Sequence, residues 1–156
     1  MSEVVLREAT IDDLATSLAI IHAAFEEYRG KLDPPSGVHS QTLDDLRKHL
    51  EKGHILLAYR GDEAVGTVLY YIDNDYVYFG RLSVLPAYRR QGIAQRMIEY
   101  IEQWTRQQGL SRVVLGVRIV LASNREFYER LGYRVFESRT HEGYTEPTYL
   151  IMEKFL

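Results

Sequence analysis

The centre of the chain reads Leu82-Ser83-Val84-Leu85-Pro86-Ala87-Tyr88-Arg89-Arg90-Gln91-Gly92-Ile93-Ala94. A strand-like segment runs into a basic turn, a glycine follows, and a long helical pattern then begins. The first amides of a helix have no internal partner, and with the helix dipole they form an anion site. Glycine leaves these amides accessible, and Arg89 and Arg90 add positive charge beside them. The stretch therefore predicts a phosphate or pyrophosphate site; a tight turn with solvated arginines is the alternative.

The segments on either side of this turn predict alternating strands and helices. Before the turn, helices are predicted to start at Thr10 and after Thr42, and strands are predicted at Val4–Arg7, His54–Tyr59, Ala64–Ile72 and Tyr76–Leu85. After it, Gly109 closes the long helix. A capping box of Ser123 and Glu126 predicts a short helix that ends at Leu131. The remaining strands are predicted at Arg112–Val117, Gly132–Arg139 and Thr148–Phe155.

The resulting order, β-α-α-β-β-β-α-β-α-β-β, predicts an α/β fold. Three consecutive strands form an antiparallel meander, and the strand-helix-strand unit that follows requires a right-handed parallel crossover. We expect a mixed, mostly antiparallel sheet of about seven strands with helices on both faces. At 156 residues, the length predicts one domain over residues 1–156.

Composition excludes several kinds of site and partner. The chain has no cysteine, which excludes disulfides, thiolate-zinc sites and cysteine nucleophiles, and no metal is expected. A formal net charge of -3 disfavours nucleic acid and anionic membranes as partners, including a nucleic-acid contact through Arg89, Arg90 and Arg96. The sequence shows neither a signal-peptide pattern nor the ~18 apolar residues of a membrane span, so the cytoplasm is the expected compartment.

Two motifs resemble the GNAT superfamily of acyl-CoA-dependent N-acyltransferases. The family's Arg/Gln-x-x-Gly-x-Gly/Ala core is matched by Arg89, Gly92 and Ala94, after a Val-x-Pro-x-Tyr-Arg lead-in that begins at Val84. The phrase from Phe127 to Tyr133, Phe-Tyr-Glu-Arg-Leu-Gly-Tyr, is similar to a second family motif. The predicted element order is also the order of the family, so the resemblance covers essentially the whole chain.

The resemblance implies acetyl-CoA as cosubstrate. Amides from Arg90 to Ala94 would hold the pyrophosphate, while backbone groups of Leu82 and Val84 would pair with the pantetheine arm. Many family members carry an asparagine where this chain has Leu121, so Asn124 either takes over a contact to CoA or only caps a helix. The cofactor-binding residues expected from the resemblance are Leu82, Ser83, Val84, Arg89, Arg90, Gln91, Gly92, Ile93, Ala94 and Asn124.

The same resemblance implies that Tyr128 is the general acid for the departing CoA thiolate. A phenol titrates near about 10 and a thiol near about 8.5, so the site must assist this proton transfer. The alternative is a core aromatic, because Phe127 and Leu131 flank Tyr128 on the predicted helix.

The acceptor side is less defined. The resemblance implies a primary amine of a small molecule or peptide, and the predicted substrate residues are Glu27, Tyr28, Tyr78 and His141. In many members of the family, a glutamate on the third meander strand is the base that accepts the proton of the amine. This chain lacks that glutamate, and Tyr78 lies near its position. The remaining candidates for the base are Glu26, Glu27, His39, His141 and a water chain. Each has a plainer interpretation, such as a solvated helix end or a loop residue, and His22 is interpreted as a core histidine.

Two further alternatives concern the whole protein. The missing strand glutamate keeps open a non-catalytic acyl-CoA-binding or regulatory module with the same fold, because a fold does not establish a function. The long loop from Tyr28 to His39, with its Pro34-Pro35 pair, is too long and stiff for a simple connection and is expected to wall the acceptor site. The oligomeric state is expected to be a monomer or a homodimer.

Overall fold

The computed structural model describes residues 3–156, and the alternation of strands and helices follows the predicted order. Short 3-10 turns lie at Ile11–Asp13, Glu26–Tyr28, Gly37–Ser40 and Pro86–Tyr88. The main elements are β1 (Val4–Glu8), α1 (Leu14–Phe25), α2 (Leu43–Lys52), β2 (His54–Arg60), β3 (Glu63–Asp73), β4 (Tyr76–Val84), α3 (Ile93–Gln107), β5 (Arg112–Arg118), α4 (Ala122–Arg130), β6 (Arg134–Arg139) and β7 (Tyr149–Phe155).

The strands form one seven-stranded sheet in the order β1-β2-β3-β4-β5-β7-β6. Strand β4 pairs with β5 in parallel, with Val77 opposite Val113, as the crossover through α3 requires. The pairs β1–β2, β2–β3, β5–β7 and β6–β7 are antiparallel. The α/β class and the mixed, mostly antiparallel sheet are therefore confirmed.

The described chain divides into two compact units. The first unit contains the described residues up to Tyr71 together with Arg81–Ile101, and the second contains Ile72–Gly80 and Glu102–Leu156. In the core of the first unit, apolar residues of α1, α2 and the 3-10 turn Gly37–Ser40 pack against residues of β2 and β3. Its buried members are Leu14, Ile21, Val38, Leu46, Ile55 and Leu69.

Capping side chains fix where the first unit's helical segments begin. The Thr10 side chain accepts from backbone amides in the first turn, and the Asp13 carboxylate accepts from the Thr10 amide in return. Thr42 and Asp45 make the same reciprocal pair at the start of α2. Each pair satisfies amides that the helix itself leaves unbonded, so both predicted starts are confirmed.

The capping box predicted at Ser123 and Glu126 is wrong. Helix α4 begins at Ala122, and its N-cap is Leu121, which makes no side-chain cap. The Leu121 carbonyl accepts from the amides of Asn124 and Arg125, so the first turn is already closed upstream of Ser123.

A buried polar network holds the second unit together. The Tyr133 side chain is 3% exposed, and its hydroxyl donates to the Glu102 carboxylate at 2.8 Å. Lys154 lies 3.0 Å from the same carboxylate and 5.6 Å from the centre of the Tyr133 ring. Burial and the negative charge of Glu102 raise the pKa of Tyr133 above its ordinary value, so this phenol is a structural donor. Within residues 3–156 no helix has the length and apolar character needed to cross a membrane.

Candidate functional site

The predicted anion-binding turn lies between β4 and α3 in the first unit. Arg90 and Gly92 both have left-handed backbone angles, with φ of 64° and 79°. The Gly92 carbonyl accepts from the Arg96 amide at 3.1 Å, which makes Gly92 the residue just before the helix. The amides of Ile93, Ala94 and Gln95 therefore have no partner within the helix. A Cβ at Gly92 would meet nothing within 4 Å. Glycine is therefore favoured at this position by its left-handed backbone angle and not by a lack of space.

Two side-chain links fasten this turn to neighbouring elements of the first unit. The Tyr88 hydroxyl donates to Glu63 at 2.7 Å, at the start of β3. Arg89 Nη1 lies 2.6 Å from Glu27 Oε1, and Arg89 Nη2 donates to the Ala24 carbonyl at 2.9 Å. That carbonyl belongs to the last turn of α1, where the helix dipole favours a cation. Arg89, predicted to bind the cofactor, is thus bonded to the end of α1.

The pair of Glu27 and Arg89 makes a testable contribution to this turn. We expect Glu27→Gln to raise the KM for acetyl-CoA a few-fold, because an exposed ion pair is worth about 0–1 kcal/mol. Both side chains are partly exposed, at 45% and 39%, so the effect should shrink in high salt. Steady-state kinetics at two ionic strengths measure it. Asp44→Asn, which removes the exposed ion pairs of Asp44 with Arg47 and Lys48 in α2, is the control. An unchanged KM in Glu27→Gln would show that the pair does not hold the turn.

Strand β4 changes its backbone path just before the residues predicted to hold the pantetheine arm. Arg81 has φ of 56° inside the strand, and Leu82, Ser83 and Val84 follow it. The Ser83 side chain is buried, and its hydroxyl donates to the Arg81 carbonyl at 2.8 Å. Only backbone groups of Ser83 are therefore suited to a ligand. A Cβ at Gly66 of β3 would lie 3.2 Å from the Ser83 carbonyl, so glycine permits this close approach.

Tyr128 lies on α4 in the second unit, within a cluster of aromatic rings. Its ring centre is 5.3 Å from that of Phe127, 6.2 Å from Phe79 and 6.3 Å from Tyr133. The side chain is half-buried. The Tyr128 carbonyl accepts from the Tyr133 amide at 3.0 Å, and Gly132 has φ of 99°. The second family motif is therefore also a helix-ending motif, which explains why glycine stands at this place.

The other predicted residues of the second unit occupy three separate places. Asn124 is in the first turn of α4, after the N-cap, so it does not serve as the cap. The Tyr78 hydroxyl lies 3.1 Å from the position of a Cβ at Gly116, and these two residues pack closely. His141 Nδ1 is hydrogen-bonded to Thr148 Oγ1, and its ring lies 4.8 Å from that of Tyr149. Desolvation and the positive charge of Arg118 lower the pKa of His141, which favours the neutral form of its ring.

The predicted acceptor residues of the first unit adjoin the 3-10 turn after α1. Tyr28 packs edge-on against Phe25, with ring centres 6.0 Å apart. Glu26 is bound by Arg29 at 2.9 Å, and hydrogen bonding from Arg29 is the main cause that lowers the pKa of Glu26. His22 Nε2 is hydrogen-bonded to the Gln41 carbonyl, which fits its interpretation as a satisfied histidine.

Sequence reasoning missed a link between the loop after α1 and strand β4. The Arg81 Nε donates to the Gln41 side chain at 3.1 Å, across 40 positions of sequence. A glycine at position 80, in the interior of a strand, was an available signal for the irregular backbone that follows. No local pattern identified Gln41 as its partner.

Known proteins support the resemblance that the two motifs indicated. The chain matches the acetyltransferase (GNAT) family over residues 19–133, which include the predicted anion-binding turn and Tyr128. It is 32% identical to a Bacillus subtilis protein provisionally named an acetyltransferase, over 78% of this chain and 77% of that protein. It is 31% identical to GCN5-related N-acetyltransferase 6, chloroplastic, of Arabidopsis thaliana over 50% of this chain, and this match spans only 27% of the plant protein.

Solved structures share the fold at low sequence identity. The PaiA N-acetyltransferase of Thermoplasma acidophilum, in complex with coenzyme A, aligns with a TM-score of 0.84 and 18% identity over 99% of each chain. The ribosomal-protein-S18-alanine N-acetyltransferase of Escherichia coli aligns with a TM-score of 0.81 and 17% identity, over 98% of this chain and 94% of that one. The family match over residues 19–133 shows that the chain belongs to the acetyltransferase (GNAT) family of acyl-CoA-dependent N-acyltransferases.

Proposed function

We propose that this protein transfers an acetyl group from acetyl-CoA to a primary amine of a small molecule or peptide, by direct attack. The observation that carries the donor side is the turn before α3. Its left-handed Arg90 and Gly92 precede helix amides that have no internal partner, at the positions of the family's CoA signature. Such amides suit a pyrophosphate, because they combine hydrogen-bond donors with the positive end of the helix dipole.

The proposed reaction needs three contributions from the chain. Backbone amides near Leu82 and Val84 polarise the thioester carbonyl and stabilise the oxyanion that forms on attack. The amine nitrogen bonds to the carbonyl carbon, the carbon–sulfur bond breaks, and the sulfur takes a proton from the Tyr128 hydroxyl. A base removes the proton that the neutral amine loses on forming the amide. The protonated base and the Tyr128 phenolate then recover their starting forms by proton exchange with water, so that no net proton is gained or lost.

The proposal covers primary amines of both small molecules and peptides as acceptors. The name of one structural neighbour specifies an alanine of a ribosomal protein, which supports including a peptide amino terminus among the amines tested. Partial burial and neutrality suit His141 to an acceptor contact, and Tyr28 and Tyr78 remain predicted acceptor residues. Asn124 remains a predicted CoA contact, the cytoplasm the predicted compartment, and monomer or homodimer the predicted state.

The experiment is a screen of amines with acetyl-CoA. Release of CoA thiol would be measured with spermidine, tyramine, lysine and a peptide that begins with alanine, and product masses would confirm acetylation. We expect at least one amine to raise thiol release well above the rate in buffer. Propionyl-CoA in parallel distinguishes acetyl from longer acyl donors. Tight CoA binding without turnover on any amine would instead support the non-catalytic module.

A further inference from the structure

An exposed glycine lies in the interior of strand β5. Gly116 is exposed, although Leu115 and Val117 on either side of it are buried and β5 lies between β4 and β7 in the sheet. A glycine inside a strand is one mark of a place where a ligand approaches the backbone, because no side chain covers it. The Tyr78 hydroxyl lies 3.1 Å from the position of a Cβ at Gly116, so it is on the face to which side chains at that position point. Strand β5 thus offers an accessible floor beside a predicted acceptor residue.

Arg118 lies on the same face of β5, two residues after Gly116. Because side chains alternate between faces and a strand rises about 3.3 Å per residue, the two Cα atoms are about 7 Å apart. Arg118 ends the strand, is half-buried and lies opposite Tyr149 of β7. Desolvation lowers the pKa of Arg118, and the nearby Tyr144 acts in the opposite direction with the smaller effect. The guanidinium remains charged, so a bound carboxylate would offset the hydration that this cation has lost.

The loop between β6 and β7 is fastened beside Arg118. The Thr148 hydroxyl accepts from the His141 amide at 2.9 Å, and the Thr148 carbonyl accepts from the Ile119 amide at 3.1 Å. Ile119 directly follows Arg118 in the chain, and the His141 ring lies 4.8 Å from the ring of Tyr149. The positive charge of Arg118 contributes to lowering the pKa of His141, so the two side chains are close enough to interact. The surroundings of Arg118 therefore combine an imidazole whose neutral form is favoured with aromatic rings.

The neighbouring Arg139 differs from Arg118 in its electrostatic surroundings. The guanidinium of Arg139 is bound by Glu137, and this hydrogen bond is the main cause that raises the pKa of Arg139. At Arg118 the balance has the opposite sign, because burial outweighs the attraction of its surroundings. The loop also carries Glu142 and Glu146, whose side chains are exposed, so water screens their charge. Arg118 is therefore the cation on this face that gains most from an added carboxylate.

The floor at Gly116 and the proposed acid adjoin neighbouring residues of β4. Tyr78 lies over Gly116, and the ring of the next residue, Phe79, has its centre 6.2 Å from that of Tyr128. Successive side chains of a strand point to opposite faces, so Tyr128 lies on the face of the sheet opposite to Gly116 and Arg118. In a direct transfer the amine and the leaving sulfur bond to one carbon and reach it from different directions. An acceptor over Gly116 meets this requirement with respect to Tyr128.

We propose that the acceptor is an amino acid or a related small amino carboxylate whose carboxylate binds to Arg118, an inference that rests on the acetyl transfer proposed above. The planar guanidinium donates two parallel hydrogen bonds to the carboxylate, a geometry that arginine supports and lysine does not. The amine of the acceptor lies over Gly116, beside Tyr78. The carboxylate keeps its charge and its bonds throughout, so Arg118 determines specificity and the reaction at the amine is the one already described.

Pairs of acceptors that differ only in a carboxylate test this inference. Tyrosine is compared with tyramine, and lysine with cadaverine, by release of CoA thiol at saturating acetyl-CoA. Wild type should favour the carboxylate-bearing member of at least one pair by about 10-fold or more in kcat/KM, the magnitude of a charge-assisted hydrogen bond. Arg118→Gln should reduce that preference to less than about threefold, since the charged donor is lost. Arg118→Lys should give an intermediate preference, because it keeps the charge without the fork.

A matched control variant removes the same charge elsewhere. Arg106→Gln changes an exposed residue in the last turn of α3 and should keep the preference of wild type. If wild type turns over no amine, the proposed function fails. If wild type is active but favours neither carboxylate, or if Arg118→Gln keeps the preference, the role of Arg118 fails while acetyl transfer stands. Calorimetry on wild type with CoA bound gives a test without variants: equal affinities for the two members of each pair would overturn the inference.

Discussion

Tyr128→Phe is expected to lower kcat about 100- to 10,000-fold while the Kd for CoA changes less than twofold. The range is that of a positioned general acid, because only the hydroxyl proposed to protonate the thiolate is lost. The phenyl ring keeps its contacts with Phe79, Phe127 and Tyr133, so helix α4 should remain in place. Stopped-flow thiol release measures the chemical step, and calorimetry measures CoA binding.

A matched control is available in the same aromatic cluster. Tyr133→Phe removes a hydroxyl that donates to Glu102 in a buried site, so it should cost about 1–3 kcal/mol of folding stability. Its turnover per folded molecule should stay near that of wild type. Unchanged turnover in Tyr128→Phe would mean that the thiolate departs without this proton, and Tyr128 would then be a core aromatic.

Gly92→Val should weaken binding of acetyl-CoA about 10- to 100-fold. Valine is strongly disfavoured at a φ of 79°, and left-handed angles cost an L-residue roughly 1–2 kcal/mol even without β-branching. The turn must shift to relieve this strain, and the amides that open α3 then lose their common direction. Calorimetry with CoA measures the affinity, and a circular dichroism melt checks that the fold is retained.

Arg90→Gly separates the backbone of this turn from its charge. Arg90 has φ of 64°, so glycine adopts its conformation without strain, and only the guanidinium is lost. We expect a loss of CoA affinity of only a few-fold, and a weaker dependence of binding on salt. If Arg90→Gly reduced affinity as strongly as Gly92→Val, side-chain charge rather than amide geometry would dominate recognition.

The fold was predictable where its signals are local. The starts marked by Thr10 and Thr42 depend on a side chain three residues from its partner, and a sequence displays that spacing directly. At α4 the same reasoning chose Ser123, because the actual N-cap, Leu121, closes its turn through main-chain bonds alone. Backbone caps of that kind leave no residue type by which they can be recognised.

The turn that is proposed to bind the donor was predictable for the same reason. Arg89, Gly92 and Ala94 lie in a turn and a helix start that are only a few residues long. The partner of Arg89 could not be foreseen, since its bond to the Ala24 carbonyl joins positions 65 apart. The burial of the His39 ring nitrogens likewise depends on tertiary packing, and a lone histidine in a polar loop gives no sign of it.

The contacts that hold Tyr88 and Arg89 also bear on the proposed binding of CoA at this turn. Glu63, Glu27 and the Ala24 carbonyl hold these side chains when the chain folds. Ordering a mobile side chain on binding costs about 0.5–1.5 kcal/mol, and here that entropy is already lost in the free protein. The turn is therefore preorganised: its capture of CoA should be limited by diffusional encounter rather than by a slow rearrangement.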